Sequence, residues 1–188
     1  MLLLAVGVII ATSPLSTTVW FTPAATQALA QTAVICYGHV ATIVGTPDSD
    51  VIVGTPGQDV IASLGKGSRV HALGGDDIIC SGPGHDTIIG GAGDDLIDGG
   101  NGRDLLSGGI GDDRIIGGAG NDTLFGEDGT DRVEGGAGND TLFGEDGTDF
   151  LFGDPLGGGA GRRNIDKGDG GPDFDTCVDV ETVTNCEG

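Results

Sequence analysis

Aspartate recurs every nine residues: Asp77, Asp86, Asp95, Asp104, Asp113, Asp122, Asp131, Asp140 and Asp149. Asp50 and Asp59 keep the same interval upstream, and only Ser68 interrupts it. The chain carries 29 acidic against 8 basic residues, a net charge of −21, so these carboxylates cannot be neutralised internally. Such a charge disfavours nucleic acid and anionic membrane as partners. It favours a hard divalent cation. Calcium accepts about six to eight oxygens at roughly 2.3–2.6 Å, from carboxylates and backbone carbonyls alike. Zinc or copper would require His or Cys, and His39, His71 and His85 share no position that would build a site. Each is expected to be a solvent-exposed side chain. Because the carboxylates all recur in one pattern, ligation explains them better than acid–base catalysis. There is no H-E-x-x-H or G-x-S-x-G motif, and "GKGS" at 65–68 lacks the earlier Gly of a phosphate loop. No enzymatic activity is expected.

The elements that would position these carboxylates follow from the same period. Cut every nine residues from Gly45, the chain gives twelve units in unbroken register, ending at Phe152. "GGAGNDTLFGEDGTD" at 117–131 recurs letter for letter at 135–149, a spacing of two units. The eighth column runs Ile52, Ile61, Val70, Ile79, Ile88, Ile97, Leu106, Ile115, Leu124, Val133, Leu142, Leu151. Every member is a branched aliphatic, whereas a disordered Gly-rich chain would show no such column. Positions seven to nine predict a three-residue strand with only its middle side chain inward. Positions one to six, mostly G-G-x-G-x-D, predict a turn whose glycines permit positive φ and close backbone approach. Helix is ruled against, because Gly costs about 1 kcal/mol per residue there. Single aliphatics on such short strands can share a core only if the units stack. Stacking sets Asp over Asp at about 4.8 Å, a repulsion that a divalent cation resolves.

The units match the nonapeptide G-G-x-G-x-D-x-U-x, so residues 45–152 resemble the repeats-in-toxin, or haemolysin-type, calcium-binding proteins. The resemblance implies an all-β fold, a right-handed parallel β-roll (solenoid) of about six coils, with two nonapeptides per coil and Ca2+ in the turns along both edges. It implies one edge of Asp50, Ser68, Asp86, Asp104, Asp122 and Asp140, and another of Asp59, Asp77, Asp95, Asp113, Asp131 and Asp149. The turn carbonyls it implies as ligands belong to Gly82, Gly84, Gly91, Gly93, Gly100, Gly102, Gly109, Gly111, Gly118, Gly120, Gly136 and Gly138. Ser68, with Lys66 and Arg69 beside it, breaks the first edge. About seven or eight ions are expected, clustered over residues 77–149. Glu127 and Glu145 replace a turn Gly, and with Asp128 and Asp146 they are expected to be exposed charge rather than extra ligands.

A solenoid must cap its open ends. Residues 31–44 are expected to form the N-terminal cap, and 153–188 a degenerate coil and C-terminal cap covered by Phe174, Val178, Val180 and Val183. Residues 1–30 contain no charged residue and carry the apolar run "LLLAVGVIIA" and "ALA" at 28–30. This predicts a secretory signal cut after Ala30. No Lys or Arg precedes the run, so an uncleaved anchor or a truncated start are the alternatives. Four cysteines fit an oxidising exterior. Cys177 and Cys186 enclose a short loop that a disulfide closes readily, which leaves Cys36 for Cys80. That second bridge requires the N-terminal cap to fold back along the roll. Ile89, Phe125 and Phe143 on one sheet and Ile116, Phe150 and Phe152 on the other are expected to point outward. They would suit a cell-surface or protein partner, and thus an adhesive or structural role beside calcium binding.

Overall fold

The computed structural model describes residues 33–153, 167–173, 175–178, 180 and 182–186. The expected signal segment 1–30, the basic pair Arg162 and Arg163, and Phe174 lie outside the described residues.

Each nonapeptide contributes one short strand, and alternate strands fall into two parallel sheets. The first stacks Ile43–Val44, Val60–Ala62, Ile78–Cys80, Leu96–Asp98, Arg114–Gly120, Arg132–Gly138, Phe150–Phe152 and Thr176–Val178. The second stacks Val51–Val53, Arg69–His71, Thr87–Ala92, Leu105–Ile110, Thr123–Gly129, Thr141–Gly147, Lys167–Asp169 and Thr182–Thr184. Partners are 18 residues apart through the repeats, as in Leu106↔Leu124 and Ile115↔Val133. The chain therefore winds as a parallel β-roll, two nonapeptides to a turn.

The core is the aliphatic column. From Ile61 to Leu151 its members are almost fully buried, while the residues flanking each on its strand are largely outward or half-buried. One side chain per strand alternates inward, so each turn adds two aliphatics to a narrow core between the sheets. Such a core stabilises only as a stack, since no unit buries its apolar residue alone.

The roll runs further than the repeat register. After Phe152 the offset becomes 26 residues, with Leu142↔Gly168 and Leu151↔Cys177, and then 15, with Gly168↔Val183. The expected six coils become about seven turns. Gly168 leaves the aliphatic column without a side chain, and Val180 fills the space, since a Cβ there would lie 3.1 Å from its Cγ1. The cap also differs from expectation in its contacts. Val178 faces outward and Val183 is 45% exposed, while the disulfide-bonded Cys177 and Cys186 pack against the core.

At the other end, Ile35–Cys36 and His39–Val40 form an antiparallel hairpin against Val60–Ala62 and Ile78–Cys80. Cys36 is buried and bonded to Cys80, with a Cα–Cα distance of 5.9 Å. The hairpin covers the outer face of the sheet, which is why Val60, Ile61 and Ala62 are all buried. The cap thus lies across the roll's flank, the fold-back that this bridge requires. Among the described residues there is no helix long and apolar enough to cross a membrane.

Candidate metal centres

The turn conformation is set first by backbone sterics. From Leu64 onward, position two of the turn adopts positive φ whether or not it is Gly, as at Gly100 (83°), Gly118 (102°), Leu73 (83°), Glu127 (78°) and Glu145 (75°). A side chain in this region costs roughly 1–2 kcal/mol, which is why Gly dominates the position. Position four is governed by crowding. A Cβ on Gly102, Gly120 or Gly138 would overlap the carbonyl oxygen of Gly84, Gly102 or Gly120, one coil back. At position two, Gly100, Gly118 and Gly136 would likewise overlap the carbonyls of Gly82, Gly100 and Gly118. On the opposite edge, Gly91, Gly109 and Gly111 approach the carbonyls of Leu73, Gly91 and Gly93 as closely, and Gly84 and Gly93 also abut the preceding coil. Turn carbonyls are therefore stacked along each edge of the roll.

Position six supplies the carboxylates. From Asp77 to Asp149 all nine are at most 3% exposed. Along one edge the backbone N–H of Asp59, Asp77, Asp95, Asp113 and Asp131 donates to Oδ1 of Asp77, Asp95, Asp113, Asp131 and Asp149, at 2.7–2.8 Å. Along the other, the N–H groups of Ser68, Asp86, Asp104 and Asp122 donate to Oδ1 of Asp86, Asp104, Asp122 and Asp140, at 2.5–2.8 Å. One oxygen of each carboxylate thus closes the turn beneath it. The second oxygen, Oδ2, meets no hydrogen-bond donor at Asp77, Asp86, Asp95, Asp104, Asp113, Asp122, Asp131 and Asp149.

A buried, unsatisfied carboxylate oxygen is expensive, and its energetic consequence is a displaced pKa. Burial pushes Asp95, Asp104 and Asp131 up to about 7 and Asp113 up to about 8. Asp77 and Asp149 are raised to about 6, and Asp122 is also raised. In each case loss of water is the largest cause, partly offset by the backbone N–H bond. Neighbouring carboxylates add to the rise for all but Asp122.

The first two position-six residues are arranged differently. The Thr55 N–H donates to Oδ2 of Asp59 at 2.7 Å, and its hydroxyl lies 3.0 Å from the same oxygen. Thr46 serves Asp50 in the same way, at 2.6 and 3.2 Å. Asp59 therefore sits in the expected ladder, yet its second oxygen is already bonded. Ser68 offers a hydroxyl, 3.3 Å from the Asp50 N–H, and no carboxylate. Past the repeats, Asp175 joins the Asp59–Asp149 edge, accepting the Asp149 N–H at 2.9 Å on Oδ1. Asp175-Thr176-Cys177 repeats the Asp-x-apolar order of the units, but out of register with them, so spacing did not mark it.

Glu127, Asp128, Glu145 and Asp146 are exposed, and Ser107 lies 2.5 Å from Glu127. Phe125 and Phe143 stack at 4.8 Å beside them. His39, His71 and His85 are exposed, and His85 accepts the Arg103 N–H at 2.7 Å.

Among the described residues, no three His, Cys, Asp or Glu side chains converge as a metal cluster. The turns from Asp77 onward instead offer a buried carboxylate beside stacked carbonyls. That all-oxygen donor set fits calcium, whose coordination tolerates mixed carboxylate and carbonyl ligands, and does not fit zinc. Calcium would supply positive charge to oxygens that have no donor.

Fold and turns together define a parallel β-solenoid with oxygen-lined edges. A family model, RTX calcium-binding nonapeptide repeat, matches residues 42–64, 71–106, 81–115, 98–133, 107–142 and 125–155. The chain belongs to this family. No curated protein matches it significantly.

Proposed function

We propose that this protein is a secreted, non-enzymatic calcium binder whose roll folds when calcium enters the turns. The observation that carries this reading is the set of buried Oδ2 atoms without donors at Asp77, Asp86, Asp95, Asp104, Asp113, Asp122, Asp131 and Asp149. The position-six Asp carboxylates and turn carbonyls hold the ions, and neutralisation by several Ca2+ removes the repulsion within the ladders. Two disulfides and family membership support an extracellular site of action, where calcium is plentiful and weak sites suffice. Calorimetric titration with calcium, with circular dichroism followed in parallel, tests this. Several bound ions and a coil-to-strand transition are expected. A chain equally rich in strand without calcium would refute ion-driven folding.

The Phe125–Phe143 stack favours a second reading, in which calcium stiffens an adhesive face. Retention of the calcium-loaded chain by cell-surface polysaccharide, lost in a Phe125→Ser/Phe143→Ser variant, would support it.

A further inference from the structure

The roll contains two classes of turn, and the boundary between them is sharp. At Asp50 and Asp59, Thr46 and Thr55 place an N–H and a hydroxyl on the oxygen that is bare in later turns. Asp50 and Asp59 therefore lie in a protein-made equivalent of an occupied site. The next position-six residue, Ser68, has no charge to neutralise. Unsatisfied Oδ2 atoms begin at Asp77, which leads into the last strand of residues 33–80, and recur beyond it.

Three independent features coincide with this boundary. Residues 33–80 hold five acidic and two basic side chains, a net −3, whereas 81–153 hold sixteen and three, a net −13. Self-repulsion without an ion is therefore concentrated downstream. The Cys36–Cys80 disulfide spans 44 residues and closes on the last strand of the low-charge segment. A bridge over that length lowers the entropy of the unfolded chain, a gain that a segment this small needs. Finally, the hairpin buries Val60 and Ala62 on the outer face, giving these first rungs a second apolar layer that later rungs lack among the described residues.

We infer that residues 33–80 form a calcium-independent seed, which stays folded without the ion and offers a ready strand edge on which the calcium-dependent turns assemble towards the C-terminus. Thr46 and Thr55 do in the seed what the ion does beyond it. This rests on the calcium reading above.

Hydrogen exchange on the full chain, in excess chelator and in calcium, tests both separately. In chelator, the amides of Gly45, Gly54, Ser63 and Arg69, bonded to the adjacent coil, are expected to exchange slowly. Those of Leu105, Thr123, Arg132 and Thr141 should exchange freely, and calcium should slow both sets. Fast exchange of both sets in chelator overturns the seed and leaves calcium-driven folding intact. Slow exchange of both overturns calcium-driven folding and the boundary together. A Thr46→Val/Thr55→Val variant should lose at least tenfold protection at Gly45 and Gly54 in chelator, yet fold in calcium. Unchanged protection would show that the threonines are not the substitute. Pulse labelling after calcium addition should show protection reaching Leu105 before Thr141, and the reverse order overturns the proposal.

Discussion

The backbone N–H of Asp113 donates to Oδ1 of Asp131 at 2.8 Å, and Oδ2 of that buried carboxylate meets no donor. The two oxygens of one side chain thus differ, one closing the turn below and one without a donor, which the calcium reading assigns to an ion. An Asp131→Asn variant keeps an acceptor for the Asp113 N–H but removes the negative charge. It should bind at least one fewer ion and need about tenfold or more calcium to refold, read by calorimetry and circular dichroism. Asp128→Asn, at an exposed neighbouring position, should shift neither by more than about twofold.

Acid should replace calcium. Asp77, Asp95, Asp104, Asp113, Asp131 and Asp149 are raised to about 6–8 in the folded state. The folded chain therefore binds more protons than the unfolded one between pH 4 and 8. Stability without calcium then falls as pH rises through that window, the opposite of a salt-bridged carboxylate. In chelator, strand content beyond residue 80 is expected to be high near pH 5 and lost by pH 8. With calcium the trend reverses, because ligands must be deprotonated. A chelated chain that gains strand from pH 5 to 8 would contradict this.

Close stacking at position four makes some glycines irreplaceable. A Cβ at Gly120 would overlap the Gly102 carbonyl oxygen, whereas at Gly57 it would meet nothing within 4 Å. Gly120→Ala is expected to cost about 2–4 kcal/mol in saturating calcium, and Gly57→Ala less than about 0.5, both from thermal unfolding.

Glu127 and Glu145 tell ligand from strain. Both hold positive φ, at 78° and 75°, where Gly is unstrained. If they are exposed charge, Glu127→Gly should stabilise the calcium-loaded roll by about 1 kcal/mol. Loss of bound calcium on that change would assign the side chain to an ion instead.

Much of this protein is written in its repeat. Strand, turn, inward aliphatic and buried Asp follow from nine letters, because each unit meets nearly the same neighbours, 18 residues before and after. Periodicity turns a tertiary contact into a local rule, so the aliphatic and Asp columns were legible from spacing, while the Leu106–Leu124 stacking and the two edges of carboxylates were what the family resemblance implied. The sequence could not show which oxygen of each Asp is already bonded. That depends on where the coil beneath places its N–H, and it separates Asp59, served by Thr55, from Asp77, which keeps a bare Oδ2. Nor could it show that Asp175 rejoins the ladder after a 26-residue step, or that Val180 fills the gap at Gly168. Where the period breaks, neighbours are no longer implied by position. Packing at the roll's ends then decides which side chains meet.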